Sequence, residues 1–420
     1  MSEKQTFSIF HLTEEQAIEL LDTEPQHLED PSDRYIAASQ LAQYPSERTI
    51  QALIKAIEKT DSNLDNRITR RKAIESLGKI KAAIALPIIR GCLQDKDCYT
   101  VENAVWAIGE IGTQSIEILN EITHCLQRPE QNYRLIIHTL AKLQYKTALD
   151  SIAPFIQSSD LSVQSAAIST TCQLTQDNSA MEQVVPLLHN DSVVVRRSCV
   201  QDLIDTHYHP AIPAIATSPI SMVFRLRGVQ QIAQASQSLS FKTIQPPLEQ
   251  VIRDHPSSLE MVHEYDQTPS LDFAINELYE TDFGRCYLAS QTLLDIYPDE
   301  APDALLANYQ QRGKGDYGAH YHIIKILGWL KHQPAYDLIV EALHNPLPQF
   351  QKSRTAAAIA LGELGNTNAI AALKQALSSN IWILQYASIL ALEKLKSSIQ
   401  PTDLGLNPHA LIQAKLDTKP

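Results

Sequence analysis

One apolar phrase recurs along this chain. Arg70-Arg71-Lys72-Ala73-Ile74-Glu75-Ser76-Leu77-Gly78 is answered by Glu102-Asn103-Ala104-Val105-Trp106-Ala107-Ile108-Gly109, and later versions run through 354–362. The aligned anchors are Leu77, Ile108, Leu140, Thr171 and Leu203, spaced 31, 32, 31 and 32, followed by Leu327, Leu361 and Leu392, spaced 34 and 31. A period of this length holds two helices and a turn. One such unit cannot bury its own apolar face, so neighbours stack into a solenoid. The chain is therefore expected to be all-α, an α-solenoid of stacked helical pairs forming a curved superhelix with a concave binding face.

The spacing also divides the chain. A leader or cap is expected at 1–30, with a helix over 13–22. A regular HEAT-like or armadillo-like repeat block follows at 31–207, an irregular helical junction at 208–283, a second repeat block at 284–396 and a tail at 397–420. Asp and Pro punctuate the turns of the regular block, as at Asp95-Lys96-Asp97 and Arg128-Pro129, which is helix-stop and N-cap chemistry. In the junction the rhythm falters. His209-Pro210, Ser218-Pro219, Pro246-Pro247, His255-Pro256 and Thr268-Pro269 are expected to break helices there.

Charge and motif content remove several classes of function. With 48 acidic against 35 basic residues the net charge is −13, which is wrong for an array whose inner groove binds nucleic acid. Cys92, Cys98, Cys125, Cys172, Cys199 and Cys286 form no C-x-x-C pair, which fits a reducing cytoplasm. No basic-then-apolar leader and no apolar run of membrane-spanning length is present, so no membrane partner is expected. Phosphate loops, Ser-His-Asp contexts and zinc spacings are missing as well. Neither a metal nor a cofactor is expected. His320 and His322 are two apart and would not share a helix face.

The repeat register nominates an inner surface. If the anchors are buried, residues six and two positions earlier point away from the packed seam. These are Arg71 and Glu75, Glu102 and Trp106, Arg134 and His138, and Arg197 and Gln201, with Tyr99 and Tyr133 near the helix starts. Trp106 has two readings: a filler between neighbouring repeats, or a stacking wall for a planar ligand. Arginines on both sides of a Glu and a Trp would suit a flat conjugated molecule carrying carboxylates. In the second block the patch Asp316-Tyr317-Gly318-Ala319-His320-Tyr321-His322 begins an inner helix, and the same register turns Tyr321 and Lys325 outward.

The run Asp97-Cys98-Tyr99-Thr100-Val101-Glu102-Asn103-Ala104-Val105-Trp106-Ala107-Ile108-Gly109-Glu110-Ile111-Gly112 resembles the hallmark segment of the E/F-type phycobilin lyases, HEAT-like repeat proteins of cyanobacteria. In length the chain is most similar to the single-chain phycoerythrin α-subunit lyases and lyase-isomerases. The resemblance implies attachment of a linear tetrapyrrole, a bilin, by a thioether to a cysteine of a phycobiliprotein subunit. The implied bilin is phycoerythrobilin, with isomerisation to phycourobilin as a further step, and the implied partner is phycoerythrin α. The bilin is a substrate and the nucleophile belongs to the acceptor. On this reading Glu102, Tyr99 and His138 are the catalytic acid–base candidates. Arg71, Asn103, Trp106, Tyr133, Arg134, Arg197, Tyr317, His320 and Tyr321 are the candidate bilin contacts. The alternative is a non-enzymatic repeat scaffold or chaperone for phycobiliprotein assembly or turnover, since such arrays are mostly interaction modules.

Overall fold

A computed structural model describes residues 12–59, 63–236 and 239–395. The tail expected at 397–420 and the first part of the leader, 1–11, lie outside the described residues. Among the described residues there are helices and turns and no strand. The chain forms two compact units, Met1–Asp177 and Asn178–Pro420. The division falls within the span 31–207 that the repeat spacing treats as one block.

The first unit contains α1 (Glu14–Asp22), α2 (Asp33–Gln40), α3 (Glu47–Glu58), α4 (Leu64–Ile80), α5 (Leu86–Cys92), α6 (Cys98–Ile111), α7 (Ile116–Cys125), α8 (Tyr133–Lys142), α9 (Leu149–Ile152) and α10 (Leu161–Thr175). The leader helix starts as its sequence prescribes: Thr13 and Gln16 close a reciprocal capping box. Helices α2, α4, α6, α8 and α10 stack as one layer, while α3, α5 and α7 each back onto the helix that follows. The polar turn residues of each repeat are caps. Asn63, Asp97, Asn132 and Asp160 accept first-turn backbone N–H groups of α4, α6, α8 and α10, meeting donors that a helix cannot satisfy internally.

Glycine follows four of the anchors, as Gly78, Gly109, Gly328 and Gly362, and it has a steric cause. A Cβ on Gly78 would lie 2.9 Å from the Ala107 Cα and 2.8 Å from Cζ3 of Trp106, so α4 and α6 approach closer than an alanine permits. The second unit repeats the device at Gly328, where a Cβ would meet Ala360 at 2.6 Å from its Cα. Leu77, Ile108 and Leu140 beneath are fully buried.

The second unit contains α11 (Val193–Asp205), α12 (Ile212–Thr217), α13 (Met222–Ala235), α14 (Phe241–Arg253), α15 (Leu271–Glu277), α16 (Phe283–Asp295), α17 (Ala301–Gln311), α18 (Tyr317–Trp329), α19 (Tyr336–Leu343), α20 (Gln351–Leu364), α21 (Ala369–Ala376) and α22 (Trp382–Lys394). Helices α16, α18, α20 and α22 form the stacked layer, and α14 packs against α20 and α22, where Tyr386 donates to Glu249 at 2.7 Å. The expectation that Pro246-Pro247 breaks a helix is corrected: both lie inside α14. Buried Ile244, Leu248, Val251 and Ile252 hold that helix to the core, and this packing outweighs the two ladder bonds that the prolines forfeit.

Candidate functional site

In the first unit, α6 presents a wetted strip of Tyr99, Glu102, Asn103, Trp106 and Glu110, recurring at helical spacing. Neighbouring α4 supplies Arg71 and Glu75, and α8 supplies Arg134, His138 and Lys142. Most of the charges here are neutralised locally. Lys72 and Lys79 both grip Glu75, at 2.7 and 2.6 Å, and Lys142 reaches Glu110 at 2.6 Å. Glu102, half-buried at the centre of the strip, makes no hydrogen bond or ion pair with the described residues. Tyr99 is 58% exposed, and Asn103 donates its amide to the Tyr99 carbonyl at 2.7 Å.

The arginines of the row do something else. Arg71 clasps Asp97 with Nε at 2.8 Å and Nη2 at 2.6 Å, and its guanidinium lies 4.8 Å from the Tyr99 ring centre. Burial alone would raise the Asp97 pKa. The hydrogen bonds from Thr100 and Arg71 overcome this and hold it below the usual carboxylate value. Arg134 donates to the Ser162 carbonyl at 2.6 Å, at the start of α10. In the second unit Arg197 donates to the Thr281 carbonyl at 3.0 Å and stacks 5.3 Å from the Phe224 ring. Each of these arginines staples its helix to another segment of its own unit, so none is a wholly free fork for a ligand carboxylate.

Trp106 fills the gap between neighbouring repeats, the first of its two readings. Its ring packs on Gly78 across the gap between α4 and α6, and the rest of the side chain stays partly open on the strip. Tyr133 is more structural: its hydroxyl donates to the Arg128 carbonyl at 2.9 Å and its ring lies 5.0 Å from Phe155. His138 is half-buried on α8, on the helix adjacent to Glu102 and Trp106.

The second unit corrects the register reading. Tyr321 and Lys325 do not point outward; they are 1% and 2% exposed, and His320 is 1% exposed. The segment after α14 covers that face. Asp254, fully buried at a left-handed corner with φ 48°, accepts from Arg225, Lys325 and Tyr321, and from Tyr287 at 3.1 Å. Burial opposes its charge, but Lys325 and Arg225 prevail and hold its pKa at about 2. Burial pushes Lys325 down to about 8. His320, sealed beside Phe350 and facing the Tyr309 hydroxyl at 3.1 Å, is lowered to about 4 by burial and is neutral at pH 7. Only Tyr317 of the predicted trio reaches solvent, at 61% exposure.

Tyr317 opens onto a cavity of about 360 Å³. At its edge sits Lys352, whose ammonium lies 4.4, 5.1 and 5.4 Å from the ring centres of Phe283, Tyr321 and Tyr317. Burial pushes its pKa down to about 8. The register missed Lys352 because it lies at the start of α20, off both of the outward rows.

Comparison with known proteins supplies the family. Residues 62–134 and 302–393 match HEAT repeats, and 33–59 match the PBS lyase HEAT-like repeat. The chain is 54% identical to a phycocyanin operon protein Y of Pseudanabaena tenuis, over 93% of this chain and 94% of the relative. It is 31% identical to the bilin biosynthesis protein CpeY of a Synechococcus strain, over 86% of this chain and 89% of that one. A chain of the CpcE–CpcF complex of phycocyanin lyase from Nostoc superposes with a TM-score of 0.50 at 26% identity, covering 60% of this chain and 99% of its own. Among the described residues no helix is long and apolar enough to cross a membrane. The stacked repeats, the α6 segment and relatedness along almost the whole length agree: the chain belongs to the E/F-type phycobilin lyase family.

Proposed function

We propose that the chain is a phycobilin lyase that holds a linear tetrapyrrole on the face built by α4, α6 and α8 and directs one cysteine thiolate of a phycobiliprotein subunit onto it. The observation that carries this reading is the unpaired Glu102 carboxylate, set among Tyr99, Asn103 and Trp106 while the neighbouring acids are neutralised. Pyrrole N–H groups need an acceptor, and a carboxylate without a partner among the described residues supports Glu102 in that role.

The chemistry is an addition. The acceptor thiolate forms a C–S bond to the ring-A ethylidene carbon, the π pair of that double bond moves into the conjugated system, and one proton is taken up. Glu102 holds or delivers that proton, with Tyr99 and His138 as further donors. Trp106 supplies an aromatic wall, and binding in one pose presents one carbon to one thiolate.

The finer reading is phycoerythrobilin as substrate and phycoerythrin α as acceptor, with isomerisation to phycourobilin. The similarity in length to single-chain phycoerythrin-directed lyases supports it. The 54% relative carries a phycocyanin operon name, so phycocyanin subunits belong in the same experiment. Coexpression with each acceptor subunit and a bilin, followed by mass analysis of the acceptor cysteines, tests the assignment. Glu102→Gln is expected to retain bilin binding and to lower transfer by about 100-fold, the range of a lost general acid. Unchanged transfer would remove Glu102 from the chemistry. If no coloured complex forms with wild-type protein, the scaffold reading replaces the lyase. A product absorbing at bluer wavelengths than the phycoerythrobilin adduct would establish the isomerase step.

A further inference from the structure

In the first unit, α4 carries one arginine beyond those that staple the repeats. Arg70 and Arg71 reach the turn that precedes α6 and take its two carboxylates, Asp95 and Asp97. Arg67, one turn nearer the start of α4, makes no ion pair or hydrogen bond with the described residues; it is half-buried, and its Nε is sealed from water without an acceptor. A guanidinium so placed has given up hydration that no protein group replaces. Because its two neighbours already hold the carboxylates of the turn, it calls for an anion from outside the chain.

The helix register decides where that anion lies. Arg67, Arg71, Ile74 and Gly78 follow one another at helical spacing, so Arg67 shares the stripe of α4 on which Gly78 meets Trp106. Arg71 meets Asp97 and Gly78 meets Trp106 in the same order along both helices, so α4 and α6 run parallel. At 1.5 Å of rise per residue, Arg67 stands about 10 Å from the level of Glu102, at the N-terminal end of the strip and past the exposed Tyr99 ring. We propose that Arg67 anchors a propionate of the bilin while pyrrole N–H groups face Glu102. The proposal rests on the lyase reading above and deepens it by fixing how the tetrapyrrole lies along the strip. One pyrrole ring, its extended propionate arm and a hydrogen bond at each end bridge a distance of this order. Arg71 shows the grip one turn away, where Nε and Nη2 hold the two oxygens of Asp97 side by side; a propionate on Arg67 takes the same planar fork. Arg67 is then a positioning residue: it touches a group remote from the reacting carbon.

The test titrates purified full-length chain with phycoerythrobilin and with phycocyanobilin, each as the free diacid and as the dimethyl ester, following the bilin absorbance. The proteins compared are wild type, Arg67→Met, Arg67→Lys and Lys81→Met, with far-UV circular dichroism and thermal melts confirming that each is folded. Lys81→Met removes a charge from the exposed C-terminal end of the same helix. Wild type is expected to bind the diacids about tenfold or more tighter than the esters, the range of a charge-assisted hydrogen bond. Arg67→Met is expected to lose most of that preference by raising the Kd of the diacids, with that of the esters changed less than about twofold. Arg67→Lys is expected to recover part of the loss, and Lys81→Met to shift diacid binding less than about twofold. Equal diacid affinity in wild type and Arg67→Met overturns the anchor and leaves the lyase reading standing. So does a Lys81→Met defect as large as that of Arg67→Met, the mark of a net-charge effect. Wild type binding diacid and ester alike overturns the anchor with no variant needed. Failure of wild type to bind either bilin overturns both readings.

Discussion

Gly78→Ala measures how tightly the first unit depends on the contact between α4 and α6. In an exposed helix, replacing glycine by alanine gains about 1 kcal/mol, because alanine loses less backbone freedom on folding. At position 78 the new methyl would lie 2.9 Å from the Ala107 Cα and 2.8 Å from Trp106 Cζ3. The ring can swing away, but the Ala107 backbone cannot move without shifting α6 as a body. Overpacking of this kind costs about 1–3 kcal/mol or slightly more. Set against the propensity gain, the net expectation is a loss of up to about 2 kcal/mol. Gly91→Ala provides the control in the same unit: it lies on α5, exposed, with nothing within 4 Å of its Cβ, and is expected to gain up to about 1 kcal/mol. Urea unfolding followed by circular dichroism gives both midpoints, read at constant m. The Gly78→Ala/Trp106→Ala double variant separates ring from backbone: the loss is expected to persist relative to Trp106→Ala alone. If Gly78→Ala stabilises as much as Gly91→Ala, or if removing the ring abolishes the loss, the reasoning about close backbone approach is refuted.

Two further outcomes are expected in the second unit, beside the Glu102→Gln loss of transfer given above. Asp254→Asn strands Arg225 and Lys325 as two buried cations without a counter-ion and should cost about 3–5 kcal/mol. Lys325→Met leaves the Asp254–Arg225 pair intact and should cost clearly less; urea midpoints that rank the two equal would refute this account of the cluster. His320 links stability to pH. Unfolded, it takes a proton near its ordinary 6.5, whereas the folded chain resists until about 4, so the unfolded state binds more protons between those values. Stability therefore rises with pH across the window and is lost as pH falls through it, by up to about 3 kcal/mol. Thermal melts at pH 5 and pH 7.5 should show a smaller difference in His320→Phe than in wild type.

Where sequence register succeeded and where it failed follows from what each can know. The anchors, the glycines after them and the Asn and Asp caps are local necessities of a helix or of contact with an equivalent neighbour, so the period alone exposed them. The outward strip of α6 was legible for the same reason. The fate of Arg71 was not: its register correctly sends it out of α4, but Asp97, at the start of the next stacked helix, lies where the guanidinium arrives. A helical wheel reports direction and says nothing of what waits there. The prolines of α14 misled in the opposite sense. They weaken that helix locally, and its apolar face against the core restores it.

The second unit makes the same point with a consequence for binding. In α18 every residue from Ala319 to Gly328 is buried, as expected of a helix covered on all sides. The covering comes from the chain itself, through α14 and the Asp254 corner, so the mid-helix positions that would line an open repeat face cannot meet a ligand. Access is left at the N-terminal edge of the layer, where Tyr317 and Lys352 lie. The arginines of the register rows are already engaged in stapling repeats, and Lys325 is committed to Asp254. Lys352 keeps its ammonium at this edge because it lies outside the repeat register, two residues before the repeated phrase begins at Arg354.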